Sequence, residues 1–159
     1  MAAKLFTLVS TVSALEDTVV YVAHPDSLYS EIVTIQIANT DTGNHNVDLA
    51  FRKYSERGIT SRTYWGDGRT VRDIFYSYDN NVIVKDAYIP SQAALSGLDG
   101  TIFLEPNDFI TVKPTTSGSE SKFIVHVTCR ENYSDEATKD AAETVSLSEI
   151  HEKFKATTY

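Results

Sequence analysis

The stretch Glu31-Ile-Val-Thr-Ile-Gln-Ile-Ala-Asn-Thr-Asp-Thr-Gly-Asn-His-Asn-Val-Asp-Leu-Ala-Phe51 decides the fold class, because two runs of alternating residues flank a cluster of turn formers. Val33, Ile35 and Ile37 fall on one face of a strand with Thr34 and Gln36 on the other. Val47, Leu49 and Phe51 repeat the period against Asp48 and Ala50. Between them, Asn39-Thr-Asp-Thr-Gly-Asn-His-Asn46 supplies residues that tolerate tight or left-handed backbone. The pattern predicts a β-hairpin belonging to a sandwich.

The same signature continues in both directions. Towards the N-terminus, residues 4–15 read as a first strand and Thr18-Val-Val-Tyr-Val-Ala23 as a second, broken by His24-Pro-Asp-Ser27. Towards the C-terminus come Val82-Ile-Val-Lys-Asp-Ala-Tyr-Ile89, then Thr101-Ile-Phe-Leu104, then Asp108-Phe-Ile-Thr-Val-Lys-Pro114, and finally residues 122–130. Short strands spaced by Gly, Pro, Asn and Ser clusters predict an all-β antiparallel sandwich of jelly-roll or immunoglobulin-like type. Its core is expected over residues 1–131, followed by a helical extension over 132–159.

Residues 52–81 break the pattern with charged and aromatic residues around Trp65-Gly-Asp-Gly-Arg69, where Asp67-Gly68 is a hairpin turn signal. They predict an inserted arm. The C-terminal extension carries a capping box, Ser146-Leu-Ser-Glu149, before a helix over 147–155 whose Leu147, Ile150 and Phe154 share one face. A shorter helical segment is expected from Ser134 to Ala142, with Asp135 and Glu136 in its first turn. A helix of about nine residues is marginal alone, so this face is expected to dock on the sandwich or on a neighbouring subunit.

Composition narrows the function. A chain of 159 residues matches one domain, and 42% hydrophobic residues suit a globular core. The net charge of −8 argues against a protein that grips nucleic acid through phosphates. The basic residues Arg52, Lys53, Arg57, Arg62, Arg69 and Arg72 do cluster, diluted by Glu56, Asp67 and Asp73, and read as a solvated charged stretch before a partner site. Residues 1–14 hold a lysine and an apolar patch resembling a secretory signal, but Thr7, Ser10 and Thr11 interrupt the patch, so a strand is the better reading. No segment approaches the ~20 apolar residues of a membrane-spanning helix.

No catalytic motif emerges. There is no phosphate loop, nucleophile elbow, His-Glu-x-x-His helix or paired Cys ligand set, so the chain is read as non-enzymatic, with no cofactor and no metal. Cys129 is the single cysteine, in phase with Phe123, Val125 and Val127, and is expected to be buried and inert. His24, His45, His126 and His151 are scattered, and Asp41, Asn44 and Asn46, or Asp79, Asn80, Asn81 and Asp86, read as turn chemistry before calcium ligation. The arm aromatics Tyr64, Trp65, Tyr76 and Tyr78, with Arg62 and Arg69, admit three readings: packing on their own sheet, a protein interface, or stacking on a glycan.

Two further segments carry a resemblance. One runs from Thr18-Val-Val-Tyr-Val22 through Val33 to Leu49 of the stretch quoted above. The other is Tyr88-Ile-Pro-Ser-Gln-Ala-Ala-Leu95 with Gly97-Leu-Asp-Gly-Thr-Ile-Phe-Leu-Glu-Pro-Asn-Asp-Phe-Ile-Thr-Val112. Their order of strand, Asn-Thr turn, strand, Ile-Pro turn, "L-D-G-x-x-x-L" and "D-x-I-x-V" resembles that of small bacteriophage virion proteins. Ser91-Gln92 stand where that pattern has a glycine, and the arm and the tail lie outside it. The resemblance implies a structural subunit of a virion, assembled in the host bacterial cytoplasm as a capsid decoration or cement, or as a neck or tail component. Its partners would be copies of itself and other virion proteins, met through Arg62, Tyr64, Trp65, Arg69, Tyr76, Tyr78, Leu147, Ile150 and Phe154. The alternative is a glycan-binding module using the arm aromatics.

Overall fold

The computed structural model describes residues 1–13, 16–52, 81–96, 101–116, 122–142 and 147. Its elements in chain order are β1 (Ala2–Val12), β2 (Thr18–Val22), β3 (Tyr29–Asn39), β4 (His45–Arg52), β5 (Asn81–Ile89), β6 (Ala94–Ser96), β7 (Ile102–Leu104), β8 (Phe109–Pro114), β9 (Phe123–Tyr133) and α1 (Glu136–Ala141). They form two antiparallel sheets. One runs β1-β9-β3, with β6 and β7 both paired to β3, and the other runs β2-β8-β4-β5. Because β6 pairs with residues 36–38 of β3 and β7 with residues 30–32, the two short strands act as one interrupted edge. This is the strand order of a jelly roll, which decides between the two sandwich types that the sequence leaves open.

The predicted hairpin at residues 31–51 is not a hairpin. β3 and β4 do form, but in different sheets: β3 bonds to β9, β6 and β7, and β4 to β5 and β8. Period-two alternation reports which face of a strand is buried and says nothing about its bonded neighbour. Residues 40–44 instead arch across the gap between the sheets, a spacing of roughly 10 Å in sandwiches. Asn39 holds the arch by donating from Nδ2 to the carbonyls of Gly43 (2.9 Å) and Ile89 (3.0 Å). The Thr40 backbone N–H and hydroxyl both donate to the Lys122 carbonyl.

A β-bulge in β3 changes the inward face. The register against β9 shifts between Ile32 and Thr34, so Ser30 and Ile32 face inward before the bulge and Ile35, Ile37 and Asn39 after it. Val33 is therefore exposed, although simple alternation groups it with Ile35 and Ile37. The core lies between the sheets and is built from Val20, Ile32, Ile35, Ile37, Val47, Leu49, Ile110, Val112, Phe123, Val125, Val127 and Cys129, among others. β9 supplies every second residue from Phe123 to Cys129, as its alternation requires.

The second sheet is also buried on part of its outer face. Ala50 and Arg52 of β4 register with Thr111 and Phe109 of β8, opposite the core-facing Leu49, Ile110 and Val112, and all four are buried. Arg52 is thus not part of a solvated charged stretch. Its guanidinium donates to the Asp17 carboxylate at 3.1 Å and to the Thr111 hydroxyl at 3.4 Å, an arrangement that offsets the cost of burying the charge.

Candidate assembly surface

Most of the sequence-derived contact residues lie outside the described residues: Arg62, Tyr64, Trp65, Arg69, Tyr76, Tyr78, Ile150 and Phe154. Leu147 is described, as a half-buried helical residue. The described surface nevertheless carries an apolar face that the sequence reading did not single out.

That face is the outer side of the five-stranded sheet. β1 alternates with Ala2, Lys4, Phe6, Leu8, Ser10 and Val12 turned inward, leaving Leu5 and Val9 outward at 61% and 62% exposure. Val33, pushed out by the bulge, and Phe103 of β7 are exposed on the same sheet. Cross-strand register sets them in rows. Leu5 faces Arg130, Arg130 faces Glu31, and Glu31 faces Phe103. Arg130 and Glu31 pair at 3.2 Å in the middle of that row, so the apolar groups flank an ion pair. The next row joins Thr7 and Thr128 through their hydroxyls at 3.0 Å, and the next sets Val9 opposite His126. Phe103 also meets the Tyr29 ring at a centroid distance of 6.2 Å.

Two polar clusters brace the sandwich, one buried between the sheets and one at its surface connections around the buried His45. Glu131 continues the inward phase of β9 and is buried, accepting hydrogen bonds from the Tyr21 hydroxyl at 3.0 Å and from the Tyr133 hydroxyl. Burial pushes the Tyr21 and Tyr133 phenols up from their ordinary value, and the adjacent carboxylate adds to the shift. Burial, with Glu131 nearby, also pushes the Cys129 thiol up to about 12, which leaves it neutral and unreactive at ordinary pH. Glu131 was legible as the next inward residue after Cys129, but its polarity masked the phase.

At the opposite end, His45 is buried and its Nε2 lies 2.7 Å from the Asp41 carboxylate, holding the Asp41 carboxyl below its ordinary value. Asn44 Oδ1 accepts from the Ser91 N–H at 3.0 Å, and the Asp86 carboxylate accepts from Thr115 at 2.7 Å and Asn46 at 3.0 Å. Of the groups weighed as calcium ligands, Asp41, Asn44, Asn46 and Asp86 therefore serve the connections between strands, while Asp79, Asn80 and the Asn81 side chain lie outside the described residues. Among the described residues, no group of three or more His, Cys, Asp or Glu side chains converges as a metal site. No helix of the described residues is long and apolar enough to cross a membrane.

No family model and no curated protein matches the sequence. Among solved structures, the chain is similar to one from Bacillus endospore appendages, described as a novel family of disulfide-linked pili, at 10% identity and a TM-score of 0.44. That alignment covers 83% of this chain and 89% of the other. It is also similar to a chain of the infectious bursal virus T=1 particle, at 9% identity and a TM-score of 0.22 over 98% of this chain. A third similarity, to the infectious bursal disease virus VP2 subviral particle, has 11% identity and a TM-score of 0.24 over 95% of this chain. The chain spans about half the length of these two viral proteins, 47% and 48%.

Proposed function

We propose that this chain is a non-enzymatic structural protein of a bacteriophage virion, acting by contact with copies of itself and with other virion proteins as a capsid decoration or a head-to-tail component. The observation that carries the reading is the outer face of the five-stranded sheet, where four of the exposed large hydrophobic side chains among the described residues, Leu5, Val9, Val33 and Phe103, share one sheet. Exposed apolar side chains set around a polar and charged row match the mixed composition of protein interfaces. The order of strands and turns resembling small phage virion proteins supplies the setting. An acidic surface keeps free copies apart until they meet a specific partner.

The part of the expected 52–81 arm between β4 and β5 and the helical face of Leu147, Ile150 and Phe154 provide the further contacts in this proposal. Mass spectrometry of purified particles is expected to find the chain as a stoichiometric component, and its absence overturns the reading. Replacing Leu147, Ile150 and Phe154 together with polar residues is expected to abolish incorporation while circular dichroism shows an intact sandwich. Normal incorporation of that variant removes the tail from the mechanism.

A further inference from the structure

The jelly roll has four sheet edges among the described residues, and they are not equally protected. β2 has five residues and a register shift against β8. β5 has two register shifts against β4, at one of which Asp86 takes a positive φ of 51°. β6 and β7 are three residues each and interrupted. Such shortening and bulging are how sheets avoid unwanted pairing. β1 has none of these features. It is 11 residues long, pairs with β9 along its whole length without a register shift, and contains no proline, no glycine and one charge, Lys4. No described strand pairs with its other side.

We propose that β1 is a self-pairing edge, through which two copies of the chain join antiparallel about a two-fold axis at Thr7 into one continuous sheet. The inference rests on the reading of the chain as an assembly subunit and names one of its contacts. The occupant is argued from the strand itself. With Thr7 opposite Thr7 of the second copy, residues whose numbers sum to fourteen face each other. Leu5 then meets Val9 on the outer face, Phe6 meets Leu8 on the inner face, and Ala2 meets Val12, each pair occurring twice by symmetry. Lys4 meets Ser10, so the one charge never faces its own copy. Centring the pair on Phe6 or on Leu8 instead sets Lys4 against Leu8 or Val12 and Leu5 against a threonine, which loses the apolar matching. Cross-strand apolar pairs and the absence of like-charge opposition are what stabilise an antiparallel register. Phe6 and Leu8 are half-buried at the lip of the core, and the pairing would complete their burial.

The test uses the purified full chain and light scattering after size exclusion at high micromolar concentration. The native chain is expected at twice its 17.7 kDa mass. Leu5→Lys with Val9→Lys places lysine against lysine twice and is expected to give monomer. Leu5→Lys with Val9→Glu places lysine against glutamate twice and is expected to restore the dimer. Both side chains point to solvent in the single chain, so circular dichroism and thermal midpoint monitor folding independently. A monomeric native chain, a dimer indifferent to the double lysine variant, or loss of dimer in both double variants overturns the proposal. None of these outcomes bears on whether the chain is found in virions, which mass spectrometry decides separately.

Discussion

Gln92 shows what one residue costs when its backbone is misfitted. The turn at residues 90–93 is closed by a hydrogen bond from the Ala93 N–H to the Pro90 carbonyl at 3.1 Å, and Gln92 at its third position has a φ of 58°. A positive φ at that position suits glycine, which has no Cβ to clash. This is also where the resemblance to virion proteins leads one to expect a glycine. Gln92 is exposed and contributes no buried packing. Left-handed backbone costs a non-glycine residue about 1–2 kcal/mol, partly offset by the greater freedom glycine has when unfolded. Gln92→Gly is therefore expected to stabilise the chain by about 0.5–1 kcal/mol, read as a raised urea midpoint at unchanged slope. A lowered midpoint contradicts the argument.

Among the elements, α1 behaves as its sequence predicts and for local reasons. Asp135 caps it, accepting from the Thr138 N–H at 2.7 Å, and that bond holds its carboxyl below the ordinary value. Lys139 near the C-terminal end pairs with Glu136 at 2.6 Å. No residue of the helix is itself buried, so its stability depends little on the core of the sandwich. Asp135→Ala is expected to weaken the helix, seen as faster hydrogen exchange at Thr138 with the thermal midpoint nearly unchanged. The sign of the pH dependence follows from the lowered carboxyl. The cap is present above the ordinary Asp value of 3.8 and is lost as pH falls through the lowered one. β3 behaves otherwise. Its alternation identifies a strand, but the bulge at Val33 and the choice of β9 as neighbour lie in the backbone pairing between strands, which the alternation does not encode.

For the whole molecule, the Tyr21, Cys129, Glu131 and Tyr133 cluster ties β2 of one sheet to β9 of the other, and so makes global stability sensitive to alkali. The two phenols and the thiol are all raised above their ordinary values of 10.0 and 9.0. The unfolded chain therefore releases these protons first. Stability is fully present below pH 9.0 and falls as pH rises toward the folded thiol value of about 12. Urea midpoints are expected to decline steadily above that lower limit, and Tyr21→Phe, which removes one of the three protons, is expected to decline less steeply. Equal slopes for both proteins contradict the role given to Tyr21. The self-pairing of β1 and the incorporation of the chain into particles belong to this scale as well, because each depends on which edges and faces the folded sandwich leaves uncovered.

The sequence alone determined most of the strands, the sandwich, the buried Cys129 and the short helix between Ser134 and Ala142, because each rests on short-range periodicity or on hydrogen bonds a few residues long. Tertiary structure decided that β3 and β4 part into different sheets, that Val33 turns outward while Glu131 turns in, that Arg52 is buried against Asp17 and Thr111, and that β1 alone remains a long unblunted edge among the described residues. Alternation along a strand encodes which side meets the core. The partner on either flank is set by backbone hydrogen bonds, which every residue but proline can make equally well, and only the closed fold shows where they go.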